Sequence, residues 1–73
     1  MQRKLYRELW TMRFQKMLKL EEQSIVDYTS VLKECKGKGN TVFETNLKKL
    51  ILDEKKHAKL VKELLNIVDR QED

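Results

Sequence analysis

The amino-acid sequence predicts an all-α protein: an antiparallel helical hairpin that pairs with a second copy to form a four-helix bundle. Three observations support this prediction. The 73-residue chain has no proline and only two glycines, and 38% of its residues are charged, a composition typical of long helices. Apolar residues recur with heptad spacing along two long segments. Both glycines lie at the break between these segments, which predicts one domain over residues 1–73.

The first helix is predicted over about residues 3–36. Glu21 lies near the middle of its heptad seam, where an apolar residue is the usual choice. The chain has a single cysteine, Cys35, which excludes a disulfide within one chain and favours the reducing cytoplasm as its location. The predicted seam, spaced 4-3-4-3, consists of Trp10, Phe14, Met17, Glu21, Ser24, Tyr28, Val31 and Cys35.

Residues 37–40 predict a tight turn, because glycine ends helices in the left-handed backbone conformation. Thr41 and Glu44 read as a capping box that opens the next helix, and Asn40 is an alternative cap one residue earlier. The second helix is predicted over about residues 42–68, and the tail after it, which lacks apolar residues, is expected to fray. The seam of this helix consists of Phe43, Leu47, Leu50, Glu54, His57, Val61, Leu64 and Val68.

A chain of this length rarely builds a sufficient core alone, because a core below about 70–80 residues supplies only about 3–5 kcal/mol. A hairpin with the predicted seams also leaves apolar residues on its outer side. Pairing of two hairpins would bury them, so a homodimer is expected, with domain swapping as another way to pair. The residues expected on the outer side are Leu5, Leu9, Leu20, Ile25, Ile51, Leu60, Leu65 and Ile67.

The net charge of +4 arises from sixteen basic and twelve acidic residues that are interleaved along both helices. This pattern is typical of solvated faces, and no nucleic-acid-binding motif accompanies it, so nucleic acid is not expected as a partner. No stretch approaches the roughly 20 apolar residues of a membrane-spanning helix, so no membrane is expected as a partner either.

Two polar residues, Glu54 and His57, interrupt the second seam three residues apart, so both face the same side of the helix. Glu21 lies at a similar distance from the turn on the first helix. The three side chains are therefore expected to converge, and a dimer would offer four carboxylates and two imidazoles. Such a set suits two iron ions, or manganese, bound between the two chains. If the helix phase differs, these residues are surface charges, and Glu22 is the first alternative ligand.

The segments Glu21-Glu22-Gln23-Ser24-Ile25-Val26-Asp27-Tyr28 and Asp53-Glu54-Lys55-Lys56-His57-Ala58 resemble the two ligand-bearing helices of the ferritin-like superfamily, particularly rubrerythrins and bacterioferritins. The resemblance implies that Glu21 is a terminal ligand, that Glu54 bridges two metals and that His57 binds one of them. It also implies that Tyr28 holds a ligand carboxylate through a hydrogen bond, although an ordinary core tyrosine is the alternative. No catalytic residue separate from the ligands is expected.

The usual family member has four helices in one chain, whereas this chain has two, an organisation similar to that of encapsulated ferritins. The resemblance therefore implies a homodimer, or a larger homo-oligomer, that oxidises Fe(II) with dioxygen or reduces hydrogen peroxide. It leaves oxidase, peroxidase and storage roles open. The alternative from another class is a metal-free helical module that oligomerises or docks on a partner, with Glu54 and His57 making a polar contact that fixes the register.

Overall fold

The computed structural model describes the backbone of residues 3–70 and the side chains of residues 5–70. Helix α1 spans Arg3–Cys35 and helix α2 spans Thr41–Asp69, and this part of the chain contains no strand. The two helices pack lengthwise, and the Cα atoms extend over 57 × 14 × 13 Å. The prediction of an all-α protein with two helices is confirmed. The end of the tail expected to fray, residues 71–73, lies outside the described part.

The turn uses both glycines in backbone conformations that other residues rarely adopt. Gly37 has a φ of 78° and Gly39 a φ of 98°, so a side chain at either position would strain the backbone. The Gly37 N–H donates a hydrogen bond of 2.7 Å to Oε1 of Glu44 on the first turn of α2. This bond ties the end of one helix to the start of the next and stabilises the reversal of the chain.

Helix α2 is capped by Asn40, which was the alternative cap, and the prediction of Thr41 as the capping residue is wrong. The Phe43 N–H donates to Oδ1 of Asn40 over 2.9 Å. Thr41 is already helical, and its carbonyl accepts a bond from the Thr45 hydroxyl. Because Glu44 binds the turn rather than the N–H of a threonine cap, the capping box does not form.

Each helix carries three parallel rows of heptad positions, and the packing between the helices uses two of them. The central rows belong to both the predicted seam and the observed contact. They are Phe14, Glu21, Tyr28 and Cys35 on α1, and Leu47, Glu54, Val61 and Val68 on α2, all buried or half-buried. The second row in contact, which we call the buried row, consists of Thr11, Leu18, Ile25 and Leu32 on α1, and Glu44, Ile51, Ala58 and Leu65 on α2.

The predicted seams are therefore wrong in half of their positions. The third row, which we call the open row, was predicted to lie between the helices, but each helix is rotated so that this row faces outward. It consists of Trp10, Met17, Ser24 and Val31 on α1, and Phe43, Leu50, His57 and Leu64 on α2, and all except the half-buried Ser24 are exposed.

The same rotation corrects the expected outer set. Ile51 is buried, and Ile25 and Leu65 are half-buried at the helix contact, whereas Leu5, Leu9, Leu20, Leu60 and Ile67 are exposed as expected. Among the described side chains, only Leu47, Ile51, Ala58 and Val68 are buried hydrophobic residues. Neither helix, over the described residues, has the length and apolar character needed to cross a membrane.

Candidate metal centre

Near the middle of the hairpin the packing brings together the three polar residues that interrupt the seams. Glu21 and Glu54 occupy the central rows of the two helices, and His57 lies in the open row one turn after Glu54. One ligand atom from each of these residues lies within 4.8 Å of the other two. Helix α1 thus contributes one carboxylate, and α2 contributes a carboxylate and an imidazole.

The Glu21 carboxylate is the most enclosed of these groups. Its side chain is 24% exposed, and Oε2 is buried without a hydrogen-bond partner among the described residues. The nearest cationic group is Nδ1 of His57 at 3.8 Å, which is too long for a hydrogen bond. Because an unsatisfied buried carboxylate oxygen is costly, this site favours a group that supplies positive charge.

The second acidic group, the carboxyl of Glu54, has a pKa above its ordinary value, so its neutral form is favoured. The close approach of the Glu21 carboxylate is the main cause of the raised pKa of Glu54, and desolvation adds to it. The proximity of His57 acts in the opposite direction, and Asp53 raises the pKa further. Two carboxylates without a cation between them repel each other, and this repulsion favours the protonated form of Glu54.

The sequence predicted that His57 lies in the core between the helices, but His57 lies outside that core. Its side chain is 57% exposed, because the rotation of α2 places the small residue Ala58, and not His57, against α1. The imidazole therefore closes the cluster from the outside of the hairpin. The cluster is consequently open on the side of the open row.

The opposite flank of the helix contact carries a second ion pair, between Nζ of Lys62 and Oε2 of Glu22 at 4.0 Å. Both side chains are more than half exposed. Glu22, the alternative ligand, therefore lies across the helix contact from the cluster and is not brought to it. We call this flank the lysine face; it consists of Glu8, Gln15, Glu22 and Thr29 on α1, and Lys48, Lys55, Lys62 and Asp69 on α2.

The two open rows lie on the same side of the hairpin and flank the cluster. Two cross-helix pairs show that both open rows lie on one side. His57 pairs with Glu21 on that side of the helix contact, whereas Lys62 pairs with Glu22 on the opposite side. We call the resulting surface the site-side face. Its large apolar residues are 40–47% exposed, and they are Trp10, Met17, Val31, Phe43, Leu50 and Leu64.

Two further residues singled out in the sequence lie along the central row of α1. Tyr28 is half-buried two turns from Glu21, and its hydroxyl has no hydrogen-bond partner within the described part of the chain, so its expected bond to a ligand carboxylate stays a prediction. Cys35 is half-buried at the end of α1, where its thiol donates to the carbonyl of Leu32 over 3.6 Å. Neither residue contributes to the cluster.

The chemistry of these donors fits a divalent metal ion. Two carboxylates and an imidazole form a mixed oxygen and nitrogen set of the kind that iron and manganese accept. A cation would satisfy the orphaned oxygen of Glu21 and remove the repulsion that raises the pKa of Glu54. Three ligands from one side leave further coordination positions for other groups.

Comparisons of this chain with protein-family models, with curated proteins and with solved structures find no match. The function is therefore inferred from the cluster and from the surface around it.

Proposed function

We propose that this protein binds iron at Glu21, Glu54 and His57 and that two copies together hold two ions at their interface, as a ferritin-like di-iron carboxylate protein would. The observation that carries this proposal is the orphaned, buried Oε2 of Glu21 beside a second carboxylate and an imidazole. Manganese would suit the same donors. The ferritin-like resemblance supports this choice through the spacing of the three residues.

Each ligand has a distinct role in this proposal. Glu21 and Glu54 are the anionic donors, and their charge compensates that of the ions. His57 binds through a ring nitrogen and must be neutral to do so, which makes metal affinity dependent on pH. The apolar side chains next to the cluster, such as Leu50 and Leu64, would exclude water once they are covered.

A second copy is the partner that would cover the site-side face. The chain has an accessible surface of 6154 Å², whereas a compact monomer of its 8.8 kDa mass would have about 4,800 Å². The excess of about 1,400 Å² exceeds the roughly 800 Å² that each partner buries in a standard interface. Pairing through the site-side face would complete the four-helix bundle and bring two ligand clusters together.

Bound iron would supply reversible one-electron chemistry toward dioxygen or hydrogen peroxide. The chain's own contribution is to hold four carboxylates and two imidazoles in a dry interior, where their charges act strongly on the metal. Fe(II) is then itself a substrate if the protein is a ferroxidase, and peroxide is the substrate if it is a peroxidase.

The second candidate function is a metal-free helical module, and the exposed apolar residues of the site-side face favour it. In that case the protein pairs with itself or with another helical partner. The contact between Glu21 and His57 would then serve to fix the register of the helices.

The deciding experiment is elemental analysis of protein loaded with Fe(II) under anaerobic conditions and then passed through a desalting column. We expect about one iron per chain, as the donor set of the dimer requires. Glu54→Ala and His57→Ala should both lose the metal. Glu22→Ala is the matched control, because it removes an adjacent carboxylate on the lysine face and should leave the iron content unchanged.

Absence of bound metal, or equal binding by all three variants, would overturn the metal proposal. If such protein still forms a dimer in light scattering, the metal-free module is the better description. If all three variants lose helicity in circular dichroism, Glu54→Gln and His57→Gln, which preserve size, take their place in the comparison.

A further inference from the structure

The side of α1 that faces away from α2 carries a stripe of apolar and basic residues. The exposed fractions of Leu5, Leu9 and Met12 are 54%, 39% and 66%, and these residues repeat at a spacing of four and three. Lys16 and Lys19 continue the same spacing and are also exposed. We call these five residues the outer stripe. They lie about half a turn from the central row, so neither α2 nor the site-side face covers them.

The charge of the protein is concentrated in this part of the chain. The first 20 residues contain six basic residues and one acidic residue, a net charge of +5, whereas the other 53 residues have a net charge of −1. The expectation of no membrane partner is based on the lack of a long apolar stretch, which concerns helices that span a membrane and not helices that bind its surface. A second copy would bring Lys16 and Lys19 toward the same positive region, so self-pairing through the outer stripe is disfavoured.

An aromatic pair lies on the same N-terminal segment of α1, with Tyr6 next to Leu9 of the stripe and Trp10 in the open row. Tyr6 and Trp10 stack one turn apart with ring centroids 6.0 Å apart, and they are 44% and 41% exposed. Tyrosine rings prefer the boundary between lipid headgroups and acyl chains, and helices that lie in that boundary combine large apolar residues with lysine and arginine.

We propose that the N-terminal half of α1 binds the surface of a membrane that contains anionic lipids. Leu5, Leu9 and Met12 would enter the headgroup region, and the lysines would contact the lipid phosphates. A nucleic acid would match the charge but would gain little from the three exposed apolar side chains, so a lipid surface fits both properties of the stripe. This binding needs no metal and leaves the site-side face free to pair.

The test is co-sedimentation of the whole protein with vesicles of phosphatidylcholine alone and with vesicles that also contain phosphatidylglycerol. We expect binding to the anionic vesicles only and loss of binding at high salt. Lys16→Gln with Lys19→Gln should weaken binding about tenfold or more, since each basic residue near an anionic surface contributes separately.

Two matched double variants separate the outer stripe from general charge and hydrophobicity. Leu5→Ser with Met12→Ser should abolish binding. Val42→Ser with Leu52→Ser should not, although it removes apolar side chains that are 70% and 60% exposed on α2. Lys55→Gln with Lys59→Gln is the control for charge on α2.

Absence of sedimentation with anionic vesicles would overturn the proposal, as would an equal loss in the stripe and control variants. Displacement of the protein from vesicles by a short DNA duplex, with tighter binding to the duplex, would assign the stripe to nucleic acid instead. Helicity measured by circular dichroism identifies a variant that has unfolded, and single substitutions Met12→Ser and Leu52→Ser then replace the pairs. None of these outcomes depends on iron content.

Discussion

The two long flanks of the helix contact differ in composition although the same two helices build both. The lysine face presents charged and polar residues, and its cross-helix pair of Lys62 and Glu22 is open to solvent. The site-side face presents half-exposed apolar residues around a cluster that includes a buried, unpartnered carboxylate oxygen. The polar groups of the lysine face can be solvated by water. The site-side face lacks both an apolar cover for its side chains and a counter-charge for its carboxylates. This difference is the reason that we propose a partner and a cation for the site-side face and not for the lysine face.

A charge placed on the site-side face should have the largest effect. We expect Leu50→Lys to weaken dimerisation about a thousandfold, because two buried lysines per dimer would each cost about 2 kcal/mol. Leu52→Lys is the matched control, since Leu52 is 60% exposed and is not part of the site-side face. Sedimentation equilibrium measures the dissociation constant, and an equal response to both substitutions would show that the site-side face is not the interface.

Metal binding should have the next largest effect. Fe(II) or Mn(II) at a hundred times its dissociation constant should stabilise the folded protein by about 2.7 kcal/mol, and so raise Tm by roughly 10–20 °C. A chelator should reverse the change, and His57→Ala should not respond to the metal. Thermal unfolding under anaerobic conditions provides the measurement. A Tm that changes with neither metal nor chelator would show that the site-side face, like the lysine face, binds no cation. That result would favour the metal-free module.

The pH dependence of the stability of the metal-free protein should reveal the repulsion between the carboxylates of Glu21 and Glu54. Because the pKa of Glu54 is raised in the folded state, folding favours its protonated form. This stabilisation should be complete below the ordinary pKa of a glutamate and should disappear as the pH rises through the raised value. In the metal-bound protein the direction should reverse, since protons compete with the ion for the same donors.

The variant Glu54→Gln isolates this contribution. It should make the metal-free protein more stable at neutral pH and flatten its dependence on pH, as measured by thermal unfolding at several pH values. Glu63→Gln, at an exposed position outside the cluster, serves as the control. If both variants follow the pH profile of the unchanged protein, Glu54 does not carry the effect.

The lysine face should respond least. Lys62→Ala breaks the pair with Glu22, but solvent-exposed ion pairs contribute only about 0–1 kcal/mol, and we expect less than about 0.5 kcal/mol here. Urea unfolding of the two proteins gives the difference directly. A loss of several kcal/mol, or a loss of the dimer, would place an interface on the face we regard as solvated.

Much of the fold and the identity of the three clustered residues could be predicted from the sequence. Heptad spacing located both helices to within a few residues, and the two glycines located the turn. The interruption of the seams by Glu21, Glu54 and His57 was enough to predict that they converge. Their role as metal ligands stays a prediction, as does the hydrogen bond by which Tyr28 would hold a ligand carboxylate.

The rotation of the helices could not be predicted, because each helix has three apolar rows instead of two. On α2, the row of Ile51 and Leu65 is as apolar as the row of Leu50 and Leu64, so heptad spacing alone does not choose between them. The presence of a third apolar row is itself the signal, since a wide apolar stripe is typical of a helix with two neighbours. Ala58, the smallest residue of these rows, could have indicated which row of α2 packs against α1.

The sequence by itself determined the two helices, the turn and the three polar residues that interrupt the seams, because helix propensity, glycine conformation and heptad spacing are local properties of the chain. Only the tertiary structure decided which rows meet, and with them the exposure of His57, the burial of the Glu21 oxygen and the position of Glu22 on the other flank. These features depend on how two helices rotate about their own axes to pack side chains against each other. That choice is made by the combined volume and charge of both helices, which no single stretch of sequence contains.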